Sequence, residues 1–453
     1  MKKLIVNILI FALVAALLAV TVLNAVNSSG LFSSQGDSAE YSQQSDSASA
    51  RIGASFLLPE FIGAKGERVK SLGLLGNKEA TAEVYAYLSP LLSAAFSGGI
   101  GEYLPAESWN MLFSAKDVVY LRYHSRLKAA MIDLHLGGSG KVKGEDPVIS
   151  EIIMVLEGVG QTSTEYSVYS RDVDGTVCRF TAPDGGYSAG GQALRFDIEA
   201  FSRFEELSDN LGFDFLITAN ISGIPDTARM SSSQPIVSTP PSNMGLSFKS
   251  TDAELSSELL ALIGFVPAGL GTYKDESGAT VYINTLGTLR RHQNAMTFEA
   301  AFDGGLPISV TNTADGAYSV LESIFAVETL LGRMHDLQPE LFGNEAHLML
   351  TAAYTDGQAL TLCFDYFFDN VRILTAEGDT CGITVKVDNG KVVSARADLM
   401  NANNISYRIK SYPMYTVLRV MTPSVRPEVY SLLRLAYRTG EGDRYTEWLL
   451  EQD

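Results

Sequence analysis

The sequence predicts an α+β protein, with an N-terminal transmembrane helix followed by two or three extracytoplasmic units, each a helix plus an antiparallel β-meander. An uncharged apolar run stands at the start of the chain. After it, apolar residues at helical spacing are followed by period-two strand patterns joined by short turns, and this plan recurs. No alternation of single helices with parallel-strand patterns is present, which favours α+β over α/β. At 453 residues the chain is too long for one core, so several domains are expected.

The first element is the uncharged run from Leu4 to Val26. As a helix it measures about 34 Å, enough to cross a hydrocarbon core of about 30 Å. Lys2 and Lys3 precede it and no further Lys or Arg occurs before Arg51, so the positive-inside bias predicts a cytoplasmic N-terminus and an extracellular body. A cleaved signal peptide is the alternative. Its apolar region is usually only about 7–15 residues long, and Leu23 makes a poor cleavage site here.

Composition shifts divide the chain into six segments. They are a transmembrane anchor at 1–27, a Ser-rich flexible tether at 28–50, an N-terminal extracytoplasmic α+β domain at 51–230, a linker at 231–249, a central helix-plus-meander unit at 250–345 and a C-terminal α+β unit at 346–453. The tether has too few large apolar residues to offset its ordering entropy. The linker is inferred from three prolines and five serines within 231–244.

Helices are predicted where apolar residues recur at helical spacing, at Lys78–Phe96, Glu199–Asn210, Thr251–Ile263, Ala317–Arg333 and Pro427–Leu435. Pro90 inside the first predicts a kink or a break. Thr251 is the expected N-cap of the third, with Glu254 completing a capping box and Gly264 ending the helix.

Strands are predicted from period-two patterns bounded by turn residues. In the N-terminal domain they are Val118–His124, Ala130–Leu136, Ser150–Leu156, Ser167–Tyr169, Gly175–Thr181 and Phe213–Ile221. In the central unit they are Gly271–Lys274, Thr280–Asn284, Gly287–Arg290 and Met296–Ala300. In the C-terminal unit they are His347–Tyr354, Ala359–Phe367, Gly382–Asp388, Lys391–Met400 and Val417–Val420. Asn389-Gly390 supplies the positive φ angles of a type I′ hairpin turn.

One motif has catalytic character, the G-x-S-x-G sequence Gly186-Tyr187-Ser188-Ala189-Gly190. A nucleophile elbow needs a buried strand directly before the serine and a helix directly after it. Both flanks of Ser188 have turn composition, so a flexible glycine loop is the favoured interpretation. An exported serine hydrolase that uses Ser188 is the alternative.

Metal and cofactor sites are not predicted. The five histidines, His124, His135, His292, His335 and His347, lack zinc-ligand spacing. His124 and His135 fall on separate predicted strands, where ordinary polar positions are favoured over a facing pair. Asp172-Val173-Asp174-Gly175 lacks the further oxygen ligands of a calcium loop and is interpreted as a turn. No phosphate-binding loop is found, so no catalytic residue or cofactor is assigned and the protein is not expected to be an enzyme.

Charge and cysteine content limit the partners. The net charge of −18 repels phosphate backbones, so nucleic acid is not an expected partner. Of three cysteines, Cys363 and Cys381 lie in neighbouring predicted strands, where a disulfide and two buried thiols are both open and the thiols are favoured. Aromatic residues of the C-terminal unit are assigned to the core rather than to a partner groove: Phe364, Tyr366, Phe367, Phe368, Tyr407, Tyr412 and Tyr415.

Several strand-and-turn phrases together resemble a known family. They are Leu262-Ile263-Gly264-Phe265, Thr272-Tyr273-Lys274-Asp275-Glu276-Ser277-Gly278, Val281-Tyr282-Ile283, Gly287-Thr288-Leu289-Arg290, Leu362-Cys363-Phe364-Asp365-Tyr366 and the run from Ile383 to Val392. With the single N-terminal membrane helix, this pattern resembles the YycH/YycI-type regulators of the cell-wall sensor kinase WalK, also called YycG, of Firmicutes. The resemblance covers mainly residues 250–400.

The resemblance implies a non-enzymatic, membrane-anchored accessory protein that regulates a sensor histidine kinase through protein contacts outside the cell. The implied partners are the membrane sensor kinase, a paralogous regulator, and the lipid bilayer through residues 4–26. In that family the membrane helix packs beside the kinase helices. Here the matching helix offers two amides and four small surfaces, at Asn7, Ala12, Ala15, Ala16, Ala19 and Asn24. A plain anchor is the alternative for these residues, and an envelope ligand-binding or structural protein without kinase contact is the alternative for the whole.

Overall fold

The structure is a computed structural model that describes much of the chain from Leu57 onward. The described residues are 57–65, 72–75, 78–113, 115, 117–159, 164–172, 174–181, 188–189, 192–193, 214–216, 236–239, 242–249, 253–266, 271–310, 320–356, 359–375, 381–410, 412, 417, 433–439, 442–444 and 447–450. The predicted transmembrane helix and tether lie outside them, as does the predicted helix at 199–210. Within these ranges, no helix has both the length and the apolar character needed to cross a bilayer.

Five helices fall within the described ranges: α1 (Lys78–Gly98), α2 (Ser108–Leu112), α3 (Ala129–His135), α4 (Ser257–Leu262) and α5 (Val320–Leu337). α1 and α5 confirm two of the predicted helices. A kink or a break was predicted at Pro90; α1 continues through this residue, so of the two the break is wrong. Its inner face is buried through Tyr85, Leu88 and Leu92, and this tertiary burial outweighs the one backbone hydrogen bond that proline cannot donate.

Three helix and strand predictions need correction. The predicted strand Ala130–Leu136 is the helix α3, whose buried residues Ala129, Ile132 and Asp133 follow helical spacing. α4 begins six residues later than predicted, because the hydroxyl of Ser256 accepts the backbone N–H of Leu259 at 3.1 Å and caps the helix there. Residues 433–435, predicted as the end of a helix, belong to a strand.

The N-terminal lobe comprises residues 57–181. Its strands are β1 (Pro59–Lys65), β2 (Leu72–Leu75), β3 (Ile100–Leu104), β4 (Val118–Lys128), β5 (Lys143–Gly144), β6 (Val148–Val159), β7 (Thr164–Arg171) and β8 (Val177–Thr181). They pair in the spatial order β2-β1-β4-β6-β7-β8-β3-β5, antiparallel except for the last pair. The other four predicted strands of this lobe are confirmed as β4, β6, β7 and β8.

The C-terminal lobe comprises residues 253–450. Its main strands are β14 (Gly271–Lys274), β15 (Thr280–Ile283), β16 (Gly287–Arg291), β17 (Ala295–Ala300), β18 (Leu306–Pro307), β19 (His347–Asp356), β20 (Ala359–Phe368), β21 (Val371–Leu374), β22 (Ile383–Asp388), β23 (Lys391–Asp398), β25 (Leu433–Arg438) and β27 (Glu447–Leu450). The central order is β14-β15-β16-β17-β23-β22-β20-β19. This confirms both predicted meanders and the type I′ turn, with φ of 48° at Asn389 and 70° at Gly390.

The two predicted units of this lobe share one sheet, since β17 and β18 both pair with β23. β19 also joins β4 in parallel at Ala352 and Arg126, so that twenty strands form one continuous mixed sheet. With β3–β5 and β21–β25, this makes three parallel pairs where an antiparallel sheet was expected. The α+β class is therefore confirmed, while the structure differs from separate helix-plus-meander units.

The remaining strands are β9 (Ser188–Ala189), β10 (Gln192–Ala193), β11 (Asp214–Leu216), β12 (Ile236–Thr239), β13 (Ser242–Lys249), β24 (Asn401–Lys410) and β26 (Gly442–Arg444). Two of them lie in the segment predicted as a linker. β12 pairs with β11, and β13 lies between β24 and β26. Leu246 and Phe248 on β13 are both buried, and their spacing of two residues is that of a strand with one buried face. These apolar positions decide the local structure, although the proline and serine content nearby indicated a linker.

A disulfide joins Cys363 to Cys381, whose Cα atoms are 5.5 Å apart. The favoured interpretation of two buried thiols is therefore wrong, while Cys178 is a free buried thiol. We expect the unfolded, unreduced chain to take up one alkylating group and the reduced chain three, as measured by mass spectrometry.

A bridge across 18 residues stabilises a fold by about 3 kcal/mol, so Cys381→Ser is expected to lower the free energy of unfolding, measured in urea, by about that amount. Three alkyl groups without reductant would contradict this pairing.

Candidate functional site at the junction of the two lobes

Strand β4 separates two environments on the two faces of the N-terminal sheet. Leu121 and Tyr123 are buried on one face, where the Tyr123 hydroxyl lies 3.1 Å from that of Tyr85 on α1. Tyr120 and Arg122 point to the opposite face because side chains alternate along a strand. That second face holds charged side chains that are almost completely buried.

The first buried ion pair joins Glu60 on β1 to Arg122 on β4. Arg122 Nη2 donates to Glu60 Oε1 at 3.0 Å, and Nε lies 2.9 Å from Oε2. A β-bulge places Phe61 rather than Glu60 opposite Arg122 in the register, and such a bulge re-aims the extra residue. Burial is the largest single influence and lowers the pKa of Arg122, but Glu60, Tyr120 and Glu151 together outweigh it and raise that pKa.

The second pair joins Glu151 on β6 to Arg171 on β7. Arg171 Nε donates to Glu151 Oε2 at 2.7 Å, and the Tyr120 hydroxyl donates to Oε1 at 2.5 Å. Burial, together with the Glu151 charge, raises the pKa of Tyr120 well above its usual value. The Arg171 guanidinium lies 5.0 Å from the ring centroid of Trp109 on α2, within cation–π distance.

Glu60, Arg122, Glu151 and Arg171 form what we call the buried charge cluster. Two negative and two positive groups balance, so the cluster is electrically neutral. A buried ion pair adds little net stability compared with a well-packed apolar pair, but it penalises any arrangement that separates its members. The cluster therefore fixes the register of β1, β4, β6 and β7 more than it strengthens the fold.

The C-terminal lobe reaches this region through the turn between β20 and β21, which we call the junction turn (Asp369–Asn370). Both residues have positive φ, 48° and 61°, and Asn370 is fully buried. Asn370 Nδ2 donates to the carbonyl oxygens of Pro59 and Glu60 at 2.8 and 3.1 Å. The Asn370 carbonyl lies 3.3 Å from Nε2 of His124 on β4. The junction turn thus contacts both strands of the first ion pair, namely β1, which carries Glu60, and β4, which carries Arg122.

A second contact between the lobes is made by helices. The ring of His135 on α3 stacks on that of Phe325 on α5, with centroids 5.8 Å apart and planes at 21°. Asp133 on α3 is also buried, and burial raises its pKa although Ser93 and the backbone N–H of Gly140 donate to it. The two lobes are therefore held at the junction turn, along β4 and β19, and at α3 and α5.

The residues predicted to bind a partner through the membrane helix lie outside the described residues: Asn7, Ala12, Ala15, Ala16, Ala19 and Asn24. Ser188 begins the two-residue strand β9, which pairs with β10 in a short hairpin. A nucleophile elbow requires a helix after the serine, so this backbone does not provide that geometry.

The structure shows the surroundings of three of the five histidines, His124, His135 and His335. His124 lies on β4 beside Phe367, at 4.2 Å between centroids, and His135 lies on α3, so the two are not a facing pair on strands. His335 Nε2 lies 3.1 Å from the carbonyl oxygens of Asn344 and Ala346. Across the described ranges, no group of three His, Cys, Asp or Glu side chains is arranged to hold a metal.

Two further interpretations can be compared with the structure. The turn at Asp172–Gly175 is confirmed, with Thr176 N–H donating to Asp174 Oδ1 at 2.9 Å and positive φ at Gly175. Four of the C-terminal aromatic residues assigned to the core are buried, namely Phe364, Tyr366, Phe367 and Phe368, whereas Tyr412 is 74% exposed.

Sequence patterns did not identify the buried charge cluster or the junction turn. One signal was present: Arg122 stands in the run Tyr120-Leu121-Arg122-Tyr123, and Glu151 stands among Ser150, Ile152 and Ile153. A single charge inside a strand rich in large apolar residues is costly unless it is paired. That pattern points to buried pairing but does not reveal the partner.

Comparison with solved structures identifies the fold. The crystal structure of YycH from Bacillus subtilis matches with a TM-score of 0.50 at 12% sequence identity, over 86% of this chain and 93% of that chain. An uncharacterized protein from Eubacterium rectale matches with a TM-score of 0.30 at 11% identity, over 46% of this chain and 76% of that one. No protein-family model and no curated protein sequence matches the chain. The chain therefore has a YycH-like fold.

Proposed function

We propose that the chain is a membrane-anchored extracytoplasmic accessory protein that regulates a cell-wall sensor histidine kinase through protein–protein contacts and catalyses no reaction. The observation that carries the proposal is the YycH-like fold, which extends over 86% of this chain. It agrees with the separate resemblance of the strand phrases at 262–290 and 362–392 to YycH/YycI-type regulators. Fold and sequence pattern thus favour the same family by different observations.

The disulfide supports an exported body. Disulfides form and persist in oxidising compartments and are rare in the cytosol. The Cys363–Cys381 bridge stands on β20 and directly before β22, both central strands of the C-terminal sheet. A cytoplasmic body would hold these two thiols reduced. The bridge therefore agrees with the orientation inferred from Lys2 and Lys3.

The junction between the lobes supports a role in which a partner protein recognises the relative position of the two lobes. Asn370 and His124 join the lobes by directional contacts, and the buried charge cluster fixes the strands of the N-terminal lobe that receive them. A regulator that acts by contact needs such a fixed arrangement, because the partner responds to the relative position of its surfaces. We assign the junction this positioning role in the proposed function.

We propose that the membrane helix supplies the contact with the kinase. Interhelical hydrogen bonds in membranes average about 0.6 kcal/mol, so Asn7 and Asn24 together would strengthen the helix contact by about 1 kcal/mol, a several-fold change in affinity. The four alanines allow close helix approach. The proposed partners are the sensor kinase and a paralogous regulator, with the bilayer in contact through residues 4–26.

Replacing Leu4–Val26 by an unrelated apolar helix is expected to keep the body exported but to abolish crosslinking to the kinase. Full-length chain carrying a photoreactive residue at position 15 or 16 would be crosslinked in native membranes, and the adducts identified by mass spectrometry. Asn7→Leu with Asn24→Leu is expected to weaken the crosslink several-fold, and Thr21→Leu, a polar position of the same run, to leave it unchanged. A kinase adduct that persists after the helix swap would refute contact through this helix, and absence of any kinase adduct in the unmodified protein would refute the proposed function.

A further inference from the structure

α5 packs incompletely on the C-terminal sheet. A cavity of about 50 Å³ lies beneath it, lined by Val327, Leu331 and Met334 of the helix and by side chains of β16, β17, β22 and β23. The wall is almost entirely apolar. Side chains that line a void lose contact partners on one side, so α5 is held less firmly than a fully packed helix.

Glu328 lies on the flank of α5, between the core-facing residues and the side that carries Phe325. The residue is only 5% exposed, and its Oε1 has no hydrogen-bond partner in the described part of the chain. Burial raises the pKa of its carboxyl group to about 8. A carboxyl group in this position is stable when protonated and costly when ionised, because no cation or donor among the described residues compensates the charge.

The neighbours of Glu328 on the helix connect it to the other lobe. Phe325, one turn earlier, stacks on His135 of α3. At Gly332, one turn later, no described atom lies within 4 Å of the position that a Cβ would take. The surface of the helix is therefore open one turn after Glu328.

Several charged or titratable side chains lie on the elements packed against α5. Those that are buried or line the cavity are Asp133 and His135 on α3, Arg291 on β16 and Arg396 on β23. The others are exposed or partly exposed: Glu258, Arg290, Glu299, Lys386, Asp388, Lys391 and Asp398. Asp133 hydrogen-bonds to Ser93 and Gly140, and Arg291 donates to the carbonyl of Ala253 at 3.4 Å. Burial is the only influence that shifts the pKa of Glu328, so none of these described groups lies close enough to compensate its charge.

We propose that α5 is a pH-responsive element, docked between the sheet and α3 while Glu328 is protonated and displaced when Glu328 ionises, so that its stacking contact with α3 is weakened. The cavity below the helix, the orphaned oxygen on its flank and the open surface at Gly332 together permit this movement. The inference goes beyond the proposed function, since it concerns how the lobes are held together and not which partner they meet.

The direction of the pH effect follows from proton linkage. The docked state holds its proton up to about pH 8, whereas an exposed glutamate releases it near pH 4.5. Docking is therefore most stable below pH 4.5, weakens as the pH rises, and reaches its minimum above pH 8. Between the pKa of the open state and that of the docked state, the equilibrium constant for opening of α5 rises about tenfold per pH unit. From pH 6.5 to pH 9 only the first 1.5 units lie in this range, so the constant is expected to rise about 30-fold.

Hydrogen exchange tests the proposal on the full-length chain in detergent micelles. Exchange of peptides covering residues 320–337 would be followed by mass spectrometry at pH 6.5 and pH 9, after correction for intrinsic rates. The unmodified chain is expected to lose protection about 30-fold in α5, whereas Glu328→Gln and Glu328→Met are expected to show no such change. Glu276→Gln, which removes an exposed carboxyl group from a turn, is the matched control and should respond like the unmodified chain.

Equal pH responses in Glu328→Gln and the unmodified chain would overturn the proposal. If neither substitution at Glu328 folds, the unmodified chain alone decides: constant protection of α5 between the two pH values would also overturn it. Kinase crosslinking is a separate measurement, so failure of this proposal and failure of the proposed function can be told apart.

Discussion

Arg122→Met is expected to lower the free energy of unfolding by about 3–5 kcal/mol, because it leaves the Glu60 carboxylate charged and buried without its partner. Glu60 is 2% exposed, so water cannot replace the guanidinium without opening β1. Methionine keeps most of the unbranched length of arginine and so limits the packing loss. The effect is therefore expected to come from the uncompensated charge. Urea unfolding of the full-length chain, followed by the fluorescence of Trp109 and Trp448, measures it.

Arg126→Met is the matched control for this substitution. Arg126 stands on the same strand and pairs with Asp172 at 2.9 Å; the Arg126 side chain is 51% exposed, whereas that of Asp172 is 8% exposed. Because water reaches and screens the guanidinium of this pair, Arg126→Met is expected to cost less than Arg122→Met. Replacing both members of the buried pair, as Glu60→Gln with Arg122→Met, should recover much of the loss, since neither position then carries an unpaired charge. A loss at Arg122 no greater than that at Arg126 would contradict the assignment of Glu60–Arg122 as a buried ion pair.

Asn370→Ala is expected to cost about 3–5 kcal/mol and to loosen the contact between the lobes. It removes the donor to the Pro59 and Glu60 carbonyls, and each buried group left without a partner costs about 1–3 kcal/mol. It also places alanine at a φ of 61°, which costs about 1–2 kcal/mol. Urea unfolding gives the total, and hydrogen exchange of β1 and β4 shows whether the loss is centred on the junction.

Two comparisons separate the causes. Asn370→Gly keeps the positive φ accessible and isolates the hydrogen bonds, whereas Asn389→Ala imposes the same backbone strain at an exposed turn within one lobe. We expect Asn389→Ala to cost about 1–2 kcal/mol and to leave exchange in β1 unchanged. If Asn370→Gly were as stable as the unmodified chain, the junction turn would contribute no hydrogen bonding between the lobes.

Local patterns predicted the C-terminal lobe well because its contacts are local. β14 to β17 follow one another along the chain and pair in that order, and the Asn389-Gly390 turn fixes the register of β22 with β23. Errors arose where tertiary contacts decide the structure. Ala130–Leu136 has apolar residues suited to a strand, yet burial of Ile132 and Asp133 against α1 makes it helical. The segment 231–249 was assigned as a linker from the proline and serine content of 231–244, yet its residues 242–249 pair with β24.

The candidate site was beyond local patterns for the same reason. Glu60 and Arg122 are 62 residues apart, and Asn370 is 310 residues from Glu60. Sequence shows that Arg122 and Glu151 are charges within apolar strands, so pairing was foreseeable, but partner choice depends on which strands become neighbours. Glu328 gave no signal, because a glutamate in a helix is ordinarily a solvated residue.

The 310-residue separation between Glu60 and Asn370 sets an order of events during synthesis. At about 5–20 residues per second, the chain needs roughly 15–60 s after Glu60 is made before Asn370 exists. Throughout that interval β1 and β4 can meet, and the carbonyls of Pro59 and Glu60 must be satisfied by water or by other groups. The hydrogen bonds from Asn370 to β1 can therefore form only late in synthesis. A chain truncated before the β20–β21 turn would lack this contact between the lobes.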